Sequence, residues 1–131
     1  MVPSSRGGRG FRLPRARRIS RGTEIRSLFR RGKRSKTTSL DVFDSASPAN
    51  FSRVGWVVPL HRHSAAERNR LKRRLREIVR LEVLPRLDAS GASVDVLIRA
   101  DRSAYEAGYA DLRDELVTWL DSRWPPAPRS R

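Results

Sequence analysis

Residues 64–85 read SAAERNRLKRRLREIVRLEVLP, and more of the molecule can be inferred from this stretch than from any other. Ser64 followed three residues later by Glu67 is the reciprocal capping pattern that opens a helix, so one begins at about Ala65. Pro85 has no amide hydrogen and its ring crowds the carbonyl four residues back, which predicts that the helix runs no further than Leu84. Leu71, Leu75 and Ile78 recur at the i, i+4, i+7 spacing of one helical face, with Val79 and Leu81 at its edges. The other directions around the axis are cationic. Arg68, Lys72, Arg76 and Arg80 climb one flank and continue through Arg73 to the outer face, while Arg70 and Arg74 occupy the other flank. Asn69 stands among them with a side chain that both donates and accepts. Seven bases, six of them arginine, share residues 68–80 with the single acid Glu77. Like charges at this density destabilise an isolated helix, whereas a solvated helical face ordinarily mixes its signs. A planar guanidinium makes the bidentate phosphate contacts that a lysine point charge cannot, so the pattern calls for a polyanion. An interfacial membrane helix fits less well, because the apolar stripe is narrow and carries no aromatic wedge.

The rest of the chain supports a basic body of one domain. It has 131 residues, 29 Lys+Arg against 14 Asp+Glu, and a formal charge of +15. The excess is concentrated: residues 1–36 carry +12 and residues 68–80 carry +6, while 37–67 and 81–131 are near neutral. Two unmixed blocks on a neutral body are what a folded protein shows when it presents basic elements to one partner. There is no cysteine, which excludes disulfides, thiolate metal sites and thiol catalysis, and makes a reducing compartment the simplest home. No apolar run is long enough to span a membrane and no secretory signal core is present, so a cytoplasmic location is expected. The Arg-rich N-terminus has the composition of a transit peptide, but Gly7, Gly8, Gly10, Pro3 and Pro14 oppose the amphipathic helix that role needs.

Residues 1–19 read as a mobile basic arm, 20–123 as an α+β domain and 124–131 as a Pro/Arg-rich tail. Within the domain a short helix follows Ser20, with Ile25, Leu28 and Phe29 on one face and Gly32 as its stop. Leu40, Val42 and Phe43 suggest a strand, Val54–Val58 a clearer one closed by Pro59, and Val94 to Ile98 a last one in which Asp95 must face solvent or a partner. Leu112, Leu116, Trp119 and Leu120 mark a final helix from about Gly108. The order helix, strands, helix, strand, helix predicts a small α+β sandwich of a three- or four-stranded sheet against helices.

These elements resemble the bacterial ribonuclease P protein family. The run Glu67-Arg68-Asn69-Arg70-Leu71-Lys72-Arg73-Arg74 is similar to the family's Arg-Asn-Arg helix signature. Leu13-Pro14 with Arg17-Arg18-Ile19 looks like its opening basic stretch, and Glu24-Ile25 to Phe29-Arg30-Arg31-Gly32-Lys33 like its first helix. Val54-Gly55-Trp56-Val57-Val58 looks like the strand before the signature helix, and the likeness runs from about Leu13 to Arg123. The resemblance implies a left-handed βαβ crossover and a protein subunit that joins a large catalytic RNA. It implies that the RNA, with Mg²⁺, cleaves precursor tRNA endonucleolytically while the protein binds the RNA subunit and the single-stranded 5′ leader. By position, Arg68, Asn69, Arg70, Lys72, Arg73 and Arg76 would bind the RNA subunit, and Ile25, Phe29 and Phe43 would line the leader cleft. Mg²⁺ is expected mainly on the RNA, and neither a membrane nor a protein partner is called for. Stacking of unpaired bases on Phe29 and Phe43 beside a basic rim is also what single-strand recognition requires physically. The same rings at periodic positions suit a core, and the sequence leaves both open.

Two departures stand out. Ile25 occupies a position where the family often has an aromatic, which removes one stacking platform. Pro59-Leu60-His61-Arg62-His63 stands where the family is Lys/Arg-rich with a glycine, so leader binding is expected to be weaker or more pH-dependent. A His61/His63 metal pair has no nearby acid or thiol to complete its shell. Catalysis by this chain alone finds no support: the acids do not cluster at ligand spacing, and neither a phosphate-binding loop nor a nucleophile elbow is present. The alternative is a structural RNA-binding module, such as a ribosomal or RNA-assembly protein. A duplex-DNA regulator fits poorly with bases on both flanks of the stripe.

Overall fold

In the computed structural model, which describes residues 13–125, the long helix opens as its first residues require. Glu67 donates its amide to Ser64 Oγ at 3.1 Å, and its carboxylate accepts from the Ser64 amide at 2.8 Å. Four helices are used below: α1 (Gly22–Arg31), α2 (Ala65–Ile78), α3 (Leu84–Ser90) and α4 (Tyr109–Arg123). The strands are β1 (Lys33–Lys36), β2 (Leu40–Ala46), β3 (Arg53–Val57) and β4 (Val94–Ala100), in the sheet order β1-β2-β4-β3. β4 pairs antiparallel with β2 and parallel with β3, so α2 and α3 form the crossover between two adjacent parallel strands. The α+β class and element order are as expected, with two differences.

The first concerns Pro85. The helical rod does not stop at Leu84; it passes through a π turn at Val79–Val83 and continues as α3 to Ser90, where Gly91 ends it in the left-handed region at φ 78°. Leu84 donates to the carbonyl of Val79, five residues back, so the wider turn accommodates the proline that an unbroken α-helix would reject. It also rotates the rod by one residue. Val83, Leu84 and Leu87 therefore follow Leu71, Leu75, Ile78 and Val79 into the core, and Leu81, expected at the stripe's edge, is 44 % exposed.

The second concerns β1. Lys-Arg-Ser-Lys has no apolar alternation, yet it pairs with Asp41–Asp44 of β2 as an edge strand, a place where charge is tolerated because it discourages further pairing.

Period-2 alternation divides the sheet into two faces. Leu40, Val42, Val54, Trp56, Val96, Ile98 and Ala100 join the inner faces of α2, α3 and α4 in the main core. On the opposite face α1 lies across Phe43 and Leu97, which with Ile19 and Leu28 form a second, smaller core. Asp95 is buried on that face and accepts two hydrogen bonds from Arg53, at 2.9 and 2.6 Å, while Arg53 also reaches Glu24 at 3.1 Å. These carboxylates hold the Arg53 guanidinium above its ordinary pKa.

Residues 13–19, expected to belong to the mobile arm, are part of the fold. Ile19 is 2 % exposed, its amide donates to Val54 O at 3.0 Å, and Arg18 bridges to Val54 along the outer edge of β3. An apolar side chain beside an unpaired strand edge anchors them. The remainder of the arm, residues 1–12, lies outside the described residues, as does the tail beyond Pro125. Trp124, counted with that tail, packs edge-on against Trp119.

Candidate nucleic-acid interface

The cations of α2 face outward because Leu71, Leu75 and Ile78 are drawn inward. Their charge is not cancelled from within. Among the described residues, none of Arg68, Arg70, Lys72, Arg73, Arg74 or Arg76 forms an ion pair with an acid. Acids beyond residue 80 are engaged by other cations: Asp88 by Arg17, Asp121 by Arg86, Glu82 by Arg113, Asp95 by Arg53 and Asp101 by Lys36. Two ridge arginines are oriented by neutral partners instead. Arg68 donates to Val58 O at 2.6 Å and Arg74 to Ala107 O at 3.4 Å, which aims each guanidinium without removing its charge. Arg80 pairs with Glu77 on its own helix at 2.6 Å, and that hydrogen bond holds the Glu77 carboxyl below its ordinary pKa.

Folding adds members that α2 alone does not supply. The 3₁₀ turn Arg15–Arg17 and the strand Trp56 face α2 across a cleft of about 450 Å³. Arg15, Arg18, Lys72, Arg73 and Arg76 converge on it together with Asn69, and among the described residues no acid lines it. Arg18 lies over the Trp56 ring, 4.4 Å from its centroid, so an aromatic floor fixes the guanidinium while its edge remains available. Five cations around one concave space, with one amide to donate or accept, form a receptor for phosphodiester oxygens. Of the predicted contacts, Asn69, Lys72, Arg73 and Arg76 line the cleft, while Arg68 and Arg70 stand outside it on the same helix. Arg15, Arg18 and Trp56 were not among the residues expected here. The signal was present in Ile19, whose apolar side chain in a basic stretch tethers Arg15 and Arg18 to β3.

Across the sheet, Ile25 and Phe29 of α1 are half-buried, whereas Phe43 is only 5 % exposed. Phe29 and Phe43 meet edge to face, with centroids 5.0 Å apart. Phe43 therefore belongs to the smaller core and is not an open platform, because β2 alternation points it beneath α1. Arg99 of β4 lies over both rings, 5.3 and 6.0 Å from their centroids, and donates to Asp41 at 2.9 Å. Arg34 also donates to Asp41 at 3.1 Å, and Lys36 approaches it at 3.7 Å. Burial pushes the Asp41 carboxyl up, but the hydrogen bonds from Arg99 and Arg34 outweigh it and hold the group below its ordinary pKa. Alternation along β2 and β4 could have identified this group, since it places Asp41 with Phe43 and Arg99 with Leu97.

The loop before α2 carries its own strain. His61 and Arg62 both have positive φ, at 48° and 68°, where a glycine would be at ease. The His63 ring stacks on Tyr105 with centroids 3.8 Å apart and planes 2° from parallel, and Tyr105 donates to Pro59 O at 2.6 Å. The histidines thus brace this turn. Among the described residues no group of three His, Cys, Asp or Glu side chains is placed to hold a metal ion, and no helix is long and apolar enough to cross a membrane.

Comparison with known proteins bears on the whole described body. A family model described as Ribonuclease P matches residues 13–123. The ribonuclease P protein component of Micrococcus luteus is 40 % identical over 124 residues, covering 87 % of this chain and 92 % of the relative. That of Syntrophus aciditrophicus is 33 % identical over 108 residues, covering 82 % and 87 % respectively. Among solved structures, the Staphylococcus aureus RNase P protein superposes with a TM-score of 0.71 at 18 % identity, over 83 % of this chain and 96 % of the other. The Thermotoga maritima RNase P protein does so with 0.67 at 23 %, over 80 % and 96 %. The two structures speak for the fold, and the family match and relatives for descent.

Proposed function

This chain belongs to the ribonuclease P protein family, and from that premise we propose that it binds the catalytic RNA through α2 and the 5′ leader of precursor tRNA through the groove beside α1. Membership carries a role in tRNA 5′ processing within a ribonuclease holoenzyme. The finer assignment rests on one observation: a cleft of five cations at α2, lined by no acid among the described residues and left unneutralised although the chain's acids engage so many other arginines. Arg68, Asn69, Arg70, Lys72, Arg73 and Arg76 are the RNA-subunit contacts in this reading, extended by Arg15 and Arg18. Ile25 and Phe29 line the leader groove, with Phe43 beneath α1. No side chain of this protein performs the cleavage. Its contribution is electrostatic and positional, holding the scissile region of precursor tRNA against the RNA. Mg²⁺ belongs on the RNA subunit in this reading, since among the described residues no group of three His, Cys, Asp or Glu side chains is placed to hold it. The cytoplasm is the proposed site of action.

Reconstitution tests the proposal. The purified chain is added to a bacterial ribonuclease P RNA with precursor tRNA, and the Mg²⁺ concentration for half-maximal cleavage is measured. A lowered requirement is expected. A chain that binds the RNA yet leaves the Mg²⁺ dependence unchanged would be a structural RNA-binding module instead.

A further inference from the structure

We propose that the stacking platform of the leader site is the guanidinium of Arg99, held in place by Phe29, Phe43 and the buried Asp41, and that it takes one unpaired nucleobase of single-stranded RNA. This deepens the leader-binding reading and rests on it. Phe43 offers no open face for that role and Phe29 only a partly exposed one. Phe43 is 5 % exposed, its half-buried partner Phe29 presses edge to face against it, and Arg99 lies over both rings. Arg99 itself is 40 % exposed through its side chain.

Three restraints fix that guanidinium. The Phe29 and Phe43 ring centroids lie 5.3 and 6.0 Å from it, and Asp41 accepts from Nη2 at 2.9 Å. Asp41 is 3 % exposed and is steadied in turn by Arg34 and Lys36 from the edge strand β1. Among the described residues the bond to Asp41 is the one hydrogen bond that the Arg99 guanidinium makes, so its remaining N–H groups are unspent. A planar cation braced in this way offers a base the same flat, polarisable surface as an aromatic ring, with charge for the neighbouring phosphate. Three cations around one carboxylate leave the site positive even after Lys36 also reaches Asp101 at 2.8 Å. A phosphate-only role would need no plane, and the asymmetry between arginine and lysine separates the two.

The test uses the holoenzyme reconstituted from the full chain. Its affinity is measured for precursor tRNA with a short leader, for the same tRNA without a leader, and for a leader series carrying one abasic ribonucleotide at successive positions. The unmodified chain is expected to show an abasic penalty at one position, about tenfold, the scale of one base stack. Arg99→Lys keeps the charge and a partner for Asp41. It is expected to weaken leader-bearing substrate by a similar factor, to abolish that position-specific penalty and to leave leaderless tRNA unaffected. Retention of both affinity and penalty in Arg99→Lys would overturn the platform while leaving leader binding intact. So would a uniform or absent abasic penalty in the unmodified chain, a result that depends on no variant. If the unmodified chain binds both tRNAs equally, the leader reading fails first and this assignment falls with it.

Discussion

Gly55→Ala is expected to loosen the N-terminal segment and, through it, the basic cleft. Gly55 lies on β3 directly beneath residue 19, and a Cβ built there meets Ile19 O at 2.5 Å and Ile19 Cβ at 3.0 Å. Ordinary contact begins at 3.4 Å, so the segment must retreat by about 0.9 Å. That retreat would stretch the 3.0 Å hydrogen bond from Ile19 to Val54 O out of range. Overpacking of this kind costs ~1–3 kcal/mol and a lost hydrogen bond adds ~1 kcal/mol. Releasing the segment instead exposes Ile19, for ~1.5–3 kcal/mol. The chain takes the cheaper route, and alanine recovers only ~0.4–1 kcal/mol by restricting the unfolded state. A net loss of about 2 kcal/mol lowers the melting temperature by roughly 8 °C for a domain of this size. If the segment is released, Arg15 and Arg18 leave the cleft, and the slope of log affinity for the RNA subunit against log salt becomes shallower by about one per lost phosphate contact. Thermal unfolding followed by circular dichroism and salt-titrated RNA binding read the two effects. A variant that melts with the unmodified chain and keeps its salt slope would refute both the packing argument and the membership of Arg15 and Arg18 in the interface.

Three further outcomes are expected. Lys72→Ala with Arg73→Ala and Arg76→Ala should flatten the salt dependence of RNA-subunit binding by about three, while melting is little changed because Arg73 and Arg76 are exposed and, among the described residues, none of the three is ion-paired or part of the core; an unaltered slope would remove them from the interface. Arg53→Met should destabilise the fold by ~3–5 kcal/mol in denaturant titration, since it strands the Asp95 carboxylate, itself 8 % exposed, without its guanidinium; a loss below 1 kcal/mol, as for an exposed pair, would contradict that burial. The Asp41 carboxyl is held below its ordinary pKa when folded, so its contribution is present above the unfolded value of about 4 and is lost as pH falls through the folded one. Stability should therefore fall on acidification below about pH 5, and Asp41→Asn should show a shallower acid limb, measured by unfolding at stepped pH.

Much of this architecture is written locally. Ser64 and Glu67 satisfy each other's amides within one turn, and Leu71, Leu75 and Ile78 share a face by helical period alone, so the long helix and its cationic exterior needed no tertiary information. Charge segregation was equally plain, because it is a count along the chain. Pro85 marks the limit of that logic: its rule is local, but a π turn upstream satisfied the backbone and kept the rod intact because the core rewards Val83 and Leu87. β1 was illegible for the opposite reason, since a strand at a sheet edge takes its pairing from its neighbour and needs no apolar signal.

What composition and period determined is that a capped, arginine-rich helix keeps one thin face for its own domain and offers the rest to an anion. Only the three-dimensional fold decided which charges stay free. Arg53 finds Asp95 across 42 residues, Arg99 finds Asp41 across 58 and Arg17 finds Asp88 across 71, each pairing set by strand register or helix docking. The same docking brings Arg15 and Arg18 to α2 and lays Arg99 over Phe29. Caps and stripes act over a turn or two of backbone, whereas the partner of a charge depends on where the whole chain returns.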